Sequence, residues 1–335
     1  VLAVKGSGGD LGTLTEKGLA LLRLDRVLAL EALHAAGVHE DDIVELYADC
    51  MFGTGGAVPS IDTPLHAFVE AAHVDHMHPD SLIALAAAAD GEALVRECFG
   101  DEIGWLPWQR PGFELGLALR DFCRANPAAT GVVMGGHGVI SWADSSEACE
   151  QHSLALVSRA EAFLAQRGRD HAAAASHLDA EVRRRVAVDL APRLRGAASH
   201  DRLMVGHFTD SPVVLDFLAR PDVERLVALG TSCPDHFLRT KVKPMLLAGF
   251  SPDDPAAFGD AELQAVHAEY RAQYHAYSAA HAVDGSPAIR GADPAIVLVP
   301  GVGMWSYGTD PQTARVAGEF YVNAINVIRG AESVS

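Results

Sequence analysis

The chain has 335 residues, 49% of them hydrophobic and 21% charged, a globular composition that excludes disorder as its main state. The formal net charge of −18 argues against nucleic acid or an anionic membrane as a partner, and no apolar stretch approaches the ~18 residues of a membrane span. The five cysteines are scattered and odd in number, and the N-terminus lacks a secretory pattern, so we expect reduced thiols and a cytoplasmic protein.

Residues 1–165 alternate short apolar runs with helical patterns, which predicts an α/β domain. In chain order we first predict a strand that enters a glycine turn (LAVKGSG) and a mostly helical stretch over 14–37. A strand over AAHVDHMH and one helix over 79–98 follow. The run TGVVMGGHGVISW then predicts two strands joined by a glycine turn, and a long helix is predicted over 145–167.

The composition shifts to charge and alanine over 167–185, and a domain boundary is therefore predicted near residue 166. Residues 166–335 repeat the α/β theme, with strands over LMVGHF and PAIVLVPG and a C-terminal helix over TARVAGEFYVNAINVIRG. No internal repeat is recognisable in the sequence. The prediction is thus a first α/β domain over 1–165 and a second, smaller α/β region over 166–335.

The segment HVDHMHPD, residues 73–80, carries the richest chemistry in the chain. Positions i and i+2 of a strand share a face, so His76 and His78 point the same way and can reach one ion. His137, in MGGHGV after a buried strand, is the best third ligand, because the glycines around it allow a sharp turn. Three imidazoles with an open position are typical of catalytic zinc or a similar divalent ion.

Two other interpretations compete with this one. The histidines can simply cap a strand end, as single histidines usually do. A two-metal hydrolase pattern, HxHxDH, would begin at position 71, but that residue is alanine, which counts against this class.

Several motifs together resemble the class II aldolase/adducin family: the opening VKGSGGDLGTLT, PSIDTPLHAF, HVDHMHPD and GHGVISW. The similarity is greater to the aldolase portion of bifunctional rhamnulose-1-phosphate aldolase/lactaldehyde dehydrogenase proteins, because GTSCPDHFLRTKVKP and LVPGVGMWSYGTD resemble the region that follows the aldolase unit there. The resemblance implies a three-layer α/β/α sandwich and a homo-oligomer whose active sites lie near subunit boundaries.

Carried over onto this sequence, the resemblance assigns the metal ligands to His76, His78 and His137, and the catalytic carboxylate to Asp62. Substrate-phosphate contacts fall on Gly6, Ser7, Gly8 and Ser60. A further family phosphate loop would precede Val1, and a dehydrogenase would follow Ser335. The expectation is therefore weak substrate affinity and no nicotinamide-dependent activity for residues 1–335.

The implied reaction is cleavage of a ketose 1-phosphate, L-rhamnulose 1-phosphate, to dihydroxyacetone phosphate and L-lactaldehyde, in rhamnose metabolism. A divalent ion, a carboxylate and a phosphate-binding turn are what such a cleavage requires. Alternatives stay open: epimerisation or decarboxylation of another sugar phosphate, or a non-catalytic adducin-like interaction module. Asp62 can also be a plain helix N-cap. GVGMWSYG (301–308) does not fit GxGxxG, and no nucleotide site is predicted there.

Overall fold

The computed structural model describes residues 1–8, 11–53, 55–169, 178–251 and 254–335. The chain divides into two compact units, Val1–Arg167 with Ser335, and Gly168–Val334. Each unit is an α/β assembly around its own four-stranded sheet, and the second unit is as long as the first. None of the helices within the described ranges is long and apolar enough to cross a membrane.

The first unit begins with an antiparallel pair of strands, β1 (Leu2–Lys5) and β2 (Leu19–Leu22). The helical prediction for 14–37 is therefore wrong in its first part. Alternate residues of β2, Ala20 and Leu22, are buried, so pairing with β1 determines the conformation of this run. The predicted helix begins only at α1 (Leu24–Ala35).

The sheet of the first unit has the strand order β3-β6-β5-β4, and β5 and the first four residues of β6 are buried. Strands β3 and β5 are both antiparallel to β6, whereas β4 and β5 are parallel. The bounds are β3 His73–Met77, β4 Ile103–Leu106, β5 Gly131–Met134 and β6 Gly138–Ala143. The predicted strand, glycine turn and strand are confirmed as the β5–β6 hairpin.

Helices flank this sheet, with bounds α2 Glu40–Glu45, α3 Thr63–Ala67, α4 Asp80–Ala87, α5 Gly91–Phe99, α6 Phe113–Ala125 and α7 Ser146–Arg167. The single helix predicted over 79–98 is wrong, because Ala88 is extended (ψ 149°) and separates α4 from α5. A Cβ at Gly91 would lie 2.5 Å from the Leu85 carbonyl oxygen, so glycine is needed where α5 turns back on α4.

The second unit has the strand order β7-β10-β9-β8, with β7 Val205–Thr209, β8 Met245–Leu246, β9 Ile296–Val299 and β10 Gly303–Gly308. Its helices are α8 Ala180–Ala198, α9 Pro212–Leu218, α10 Val223–Leu229, α11 Pro234–Thr240, α12 Asp260–His281 and α13 Pro311–Val334. Part of the helical pattern predicted over 167–185, residues 170–177, lies outside the described residues.

Candidate metal centre

The pairing of β3 with β6 brings three histidines to one end of the sheet. Met77, the last residue of β3, lies opposite Val139, the second residue of β6. His78 therefore follows β3 at the point where His137 leads into β6, and His76 lies one residue inside the strand. Alternation of side chains along β3 turns His76 and His78 to the same side, as the sequence predicts.

The three imidazoles face one another closely. Their ring centroids are 4.7 Å apart for His76 and His78, 5.0 Å for His76 and His137, and 5.0 Å for His78 and His137. One ligand nitrogen from each ring lies within 4.8 Å of the others. A tetrahedral ion bonded at ~2.05 Å holds its nitrogen ligands ~3.3 Å apart. The Nε2 atoms of His76 and His78 are 3.1 Å apart, so this pair fits such an ion.

The orientation of His76 is set by the main chain. Its Nδ1 lies 3.0 Å from the carbonyl oxygen of Val139, and because a carbonyl only accepts, Nδ1 carries the proton. The lone pair of Nε2 then points at the other two rings, the arrangement expected of a metal-ligating histidine. Burial, followed by the neighbouring His78 and His137, holds the pKa of His76 well below its ordinary value, which favours the neutral, ligating form.

Glycines beside the triad of His76, His78 and His137 leave room for its three rings. A Cβ at Gly138 would lie 2.4 Å from Cδ2 of His78 and 2.5 Å from the Met77 carbonyl oxygen. Gly136 has a φ of +60°, which lets the hairpin turn sharply before His137, itself only 2% exposed. The Trp108 ring lies over Gly136, with Cδ1 3.0 Å from where a Cβ would stand, so the segment between β4 and α6, residues 107–112, borders this turn.

Asp62 lies at the N-cap position of α3, but its side chain makes no capping hydrogen bond to that helix. The Ser60 hydroxyl instead lies 3.3 Å from Oδ2 of Asp62 and can donate to it, and the Asp62 N–H donates to the Ser60 oxygen at 3.2 Å. Asp62 therefore has the position of a helix N-cap, but its side chain does not bond as one.

His66 lies in α3, four residues after Asp62, and from the sequence it is either structural or a residue that orients a neighbouring carboxylate. The Val74 backbone hydrogen-bonds its imidazole, and burial lowers its pKa. It also contributes to the lowered pKa of His76, so α3 approaches the triad through this side chain. No sequence signal distinguishes this histidine from an ordinary one.

The glycine turn after β1 packs against the segment that carries Ser60. Gly6 forms an isolated bridge with Pro59, and a Cβ there would lie 2.4 Å from Cβ of Ala57. The structure thus brings Gly6, Ser7 and Gly8 to the strand-like segment preceding Ser60 and Asp62; Gly9, the next residue of the predicted turn, lies outside the described residues.

The main-chain donors of this turn are partly used by the fold itself. The Gly6 N–H donates to the Gly18 carbonyl at 2.8 Å, and the Ser7 N–H donates to the Val58 carbonyl at 2.7 Å. The Lys5 ammonium donates to the carbonyls of Gly6 and Gly8, at 3.2 and 2.6 Å. Any phosphate contact at Gly6 and Ser7 must therefore use the serine hydroxyl and not these two N–H groups.

Asp75 faces away from the three imidazoles, as expected from strand alternation. Ser153, on α7, donates to its Oδ2 at 2.9 Å and lies 2.9 Å from the Ser141 hydroxyl of β6. These two contacts of Ser153 connect α7 to β3 and β6, on the side of the sheet that faces away from the triad.

A second group of potential metal ligands lies in the second unit: His200, Asp201 and Asp293. The Arg271 guanidinium already binds both of these carboxylates, at 2.9 Å for Asp201 and by a shorter contact for Asp293. His267 also contacts Asp293, at 3.2 Å. The carboxylate charges are thus compensated by the protein itself, and we interpret this cluster as an ion-pair network.

Comparison with known proteins identifies both units. Residues 1–164 match the family model of the class II aldolase and adducin N-terminal domain, and residues 185–335 match that of the second domain of class II aldolases. The chain is 31% identical over 339 residues to a Bacillus subtilis (strain 168) protein named uncharacterized oxidoreductase YuxG; the match covers 100% of this chain and 49% of that protein. The chain therefore spans about half the length of this curated relative.

Two solved structures are also similar. The N-terminal class II aldolase domain of a conserved protein from Thermoplasma acidophilum is 26% identical, with a TM-score of 0.44, over 48% of this chain and 74% of that one. YgbL from Klebsiella pneumoniae, described as an aldolase, epimerase or decarboxylase, is 17% identical, with a TM-score of 0.35, over 50% and 73%.

Proposed function

The chain belongs to the class II aldolase and adducin family, and we propose on that basis that it is a divalent-metal-dependent aldehyde-lyase acting on a phosphorylated sugar. The observation that carries this proposal is the convergence of His76, His78 and His137 within 4.8 Å at the end of one sheet. A non-catalytic interaction module has no use for three convergent imidazoles, so this geometry favours the enzyme over the adducin-like alternative.

The three histidines are proposed to hold zinc or another divalent ion. When bound, such an ion supplies Lewis-acid polarisation of the substrate carbonyl and stabilises the negative charge that develops there. The chain contributes the orientation: the Val139 carbonyl fixes the His76 ring, and Gly138 leaves the space that His78 occupies.

Asp62 is proposed to move the proton. Cleavage of a ketose 1-phosphate between C3 and C4 removes a proton from the C4 hydroxyl and delivers one to C3. A carboxylate can perform such a transfer. The Ser60 hydroxyl lies within reach of Asp62 Oδ2 and is placed to orient this carboxylate, while His66 links the same helix to the triad. The family resemblance implies a glutamate at this position, and aspartate is one methylene shorter, so the carboxylate of Asp62 lies nearer its own main chain.

The substrate phosphate is proposed to lie between the turn at Gly6, Ser7 and Gly8 and the Ser60 segment. The Gly6–Pro59 bridge supports this, because it brings the two segments together. With a net charge of −18 the chain offers no general attraction for an anion, so contacts must be local. The Ser7 hydroxyl is the proposed donor, and the Ser60 hydroxyl can donate to the phosphate only in place of its hydrogen bond to Asp62.

The proposed substrate is L-rhamnulose 1-phosphate, cleaved to dihydroxyacetone phosphate and L-lactaldehyde, in a homo-oligomer. This choice depends on the motifs of the sequence resemblance. The name of the longer Bacillus relative, an oxidoreductase, agrees with a fused dehydrogenase in such proteins. We propose no nicotinamide site in the part of the chain described here, because the glycine-rich segment 301–308 contains strand β10 of a hairpin.

A coupled assay for dihydroxyacetone phosphate release, run across a panel of ketose 1-phosphates with zinc, tests the proposal. Release from L-rhamnulose 1-phosphate that disappears with a chelator and in His137→Ala is the expected result. No release from any ketose 1-phosphate by protein that retains its metal would overturn the aldolase and favour epimerisation or decarboxylation. Light scattering at micromolar concentration tests the oligomer, and an active monomer would contradict it.

A further inference from the structure

The two units share one sheet topology, although the sequence shows no repeat. Within each four-stranded sheet, the strands numbered in chain order pair alike: the first is antiparallel to the fourth, the fourth is antiparallel to the third, and the third is parallel to the second. The first strand is followed by two helices in the first unit and by three in the second, where α11 has no counterpart. In both units one long helix separates the second strand from the third, and a long helix follows the fourth.

The hairpin that carries His137 has a counterpart in the second unit. The His137 N–H donates to the Met134 carbonyl at 3.1 Å, and the Val302 N–H donates to the Val299 carbonyl at 3.1 Å. Each bonded residue lies three positions after the end of its strand, and each follows a glycine with positive φ, +60° in the first unit and +72° in the second. Val302 therefore occupies the position in the second unit that corresponds to His137 in the first.

The strand that carries His76 also has a counterpart. His76 lies opposite Ile140, the third residue of β6, and Phe208 lies opposite Trp305, the third residue of β10. Two residues after His76, His78 directly follows the end of β3. Two residues after Phe208, Asp210 directly follows the end of β7. In the second unit, Phe208 and Asp210 thus occupy the positions of the first two imidazoles.

The correspondence extends into the helices. The N–H of Cys149 donates to the Ser145 carbonyl at 3.0 Å where α7 begins, and that of Ala314 donates to Asp310 at 3.0 Å where α13 begins. Both acceptors lie two residues after the last residue of the preceding strand. After the first strands, Ile83 donates to Pro79 at 2.9 Å and Leu215 to Ser211 at 3.0 Å, again at matching positions.

We infer that the second unit is a divergent copy of the first in which Phe208, Asp210 and Val302 replace His76, His78 and His137, leaving a unit without this metal centre. Two of the three replacements make contacts with other residues of the second unit. The Phe208 ring packs on Trp305 with centroids 4.5 Å apart, and Arg183 Nε donates to Asp210 at 2.9 Å. Val302 is fully buried.

This inference rests on the proposed metal centre of the first unit and adds a stoichiometry to it: one such centre per chain, with the second unit retaining the fold without the ligands. Its own His200, Asp201 and Asp293 do not restore the centre, because Asp293 precedes β9 whereas Val302 follows it, at the other end of that strand.

Rebuilding the lost ligands in the full chain tests the correspondence. His76→Ala first empties the centre of the first unit, and Phe208→His, Asp210→His and Val302→His are then added, which also releases position 210 from its ion pair with Arg183. Binding of Co²⁺ is followed by its visible absorption, and folding by circular dichroism and melting. We expect one ion per wild-type chain, none for His76→Ala, and one again for the rebuilt chain.

The matched control carries Thr209→His, Asp210→His and Val302→His in the same background, because Thr209 points to the other face of β7 and cannot join the site. A folded rebuilt chain that binds no Co²⁺, or a control that binds as well, overturns the inference. Failure of the wild type to bind, or binding that His76→Ala leaves unchanged, instead contradicts the proposed function.

Should the rebuilt chain not fold, a crystal structure of the wild type decides. Phe208 must superpose on His76, and Val302 on His137. A register shifted by one residue, with Thr209 opposite Trp305, would overturn the correspondence.

Discussion

Replacing Gly138 with alanine is a steric test of the metal centre that leaves all three imidazoles in the sequence. The added Cβ would lie 2.4 Å from Cδ2 of His78 and 2.5 Å from the Met77 carbonyl oxygen. Because the φ of Gly138 is not in the left-handed region, alanine brings no backbone strain, and the whole effect is this collision. An ordinary contact of about 3.4 Å requires the His78 ring to move by about 1 Å.

A displacement of that size is large for a metal ligand, since ligand distances tolerate only ~0.2 Å. Losing a group that merely orients a ligand costs ~10–100-fold in affinity, and we expect at least that loss of zinc affinity for Gly138→Ala. Competition with a chromophoric chelator measures the affinity, and circular dichroism checks the fold.

Gly131→Ala is the matched control. It lies in the neighbouring strand, and its Cβ would meet the Ile140 carbonyl oxygen at 2.8 Å, Ile103 Cδ1 at 3.0 Å and Ser141 Cβ at 3.4 Å, none of which belongs to an imidazole. Both variants should lose some stability, but only Gly138→Ala should lose zinc affinity. Equal zinc affinity in the two folded variants would refute the placement of His78 in the site.

Three further outcomes are expected. His76→Ala and His137→Ala should each lose bound zinc by elemental analysis, and full metal content in both would remove these histidines from the centre. Asp62→Asn should keep metal and fold but lower turnover ~10²–10⁴-fold, whereas a near wild-type rate would exclude proton transfer by Asp62. Asp201→Asn should lower the free energy of unfolding by roughly 1.5–3 kcal/mol at pH 7. Because Arg271 holds the pKa of Asp201 below its ordinary value, the carboxylate stabilises the fold above about pH 4 and loses this contribution as pH falls, so the penalty measured by denaturant titration should shrink toward pH 3. An unchanged penalty at low pH would contradict that assignment.

The strands around the centre are predictable from the sequence because their signals are local. Alternation over HVDHMH and the buried run before MGGHGV predict β3 and the β5–β6 hairpin, and side-chain period two puts His76 and His78 on one face. The convergence of His137 with this pair is a prediction from the glycines around it and from the family resemblance, because no local pattern encodes the pairing of β3 with β6, whose segments lie about sixty residues apart.

The errors arise where distant residues decide the local conformation. Leu19–Leu22 has the apolar spacing of a helix, yet it pairs with β1 and becomes a strand. The N–H groups of Gly6 and Ser7 donate to the carbonyls of Gly18 and Val58. Because these acceptors lie outside the turn, the turn motif does not predict that the two donors are occupied. The similarity of the two units lies in register and turn geometry while side-chain identity has diverged, so no search for repeated letters could detect it.

The β3–β6 pairing also has a consequence for the order of folding. In a zinc finger the ligands come from one short segment, so metal can bind before the rest of the chain is made. Here His78 and His137 are separated by most of the first sheet, and neither the β5–β6 hairpin nor β3 holds more than part of the set. Closing so long a loop is slow relative to local contacts. Metal binding to all three histidines should therefore be possible only after β6 has left the ribosome, and bound metal would indicate that β3 has paired with β6.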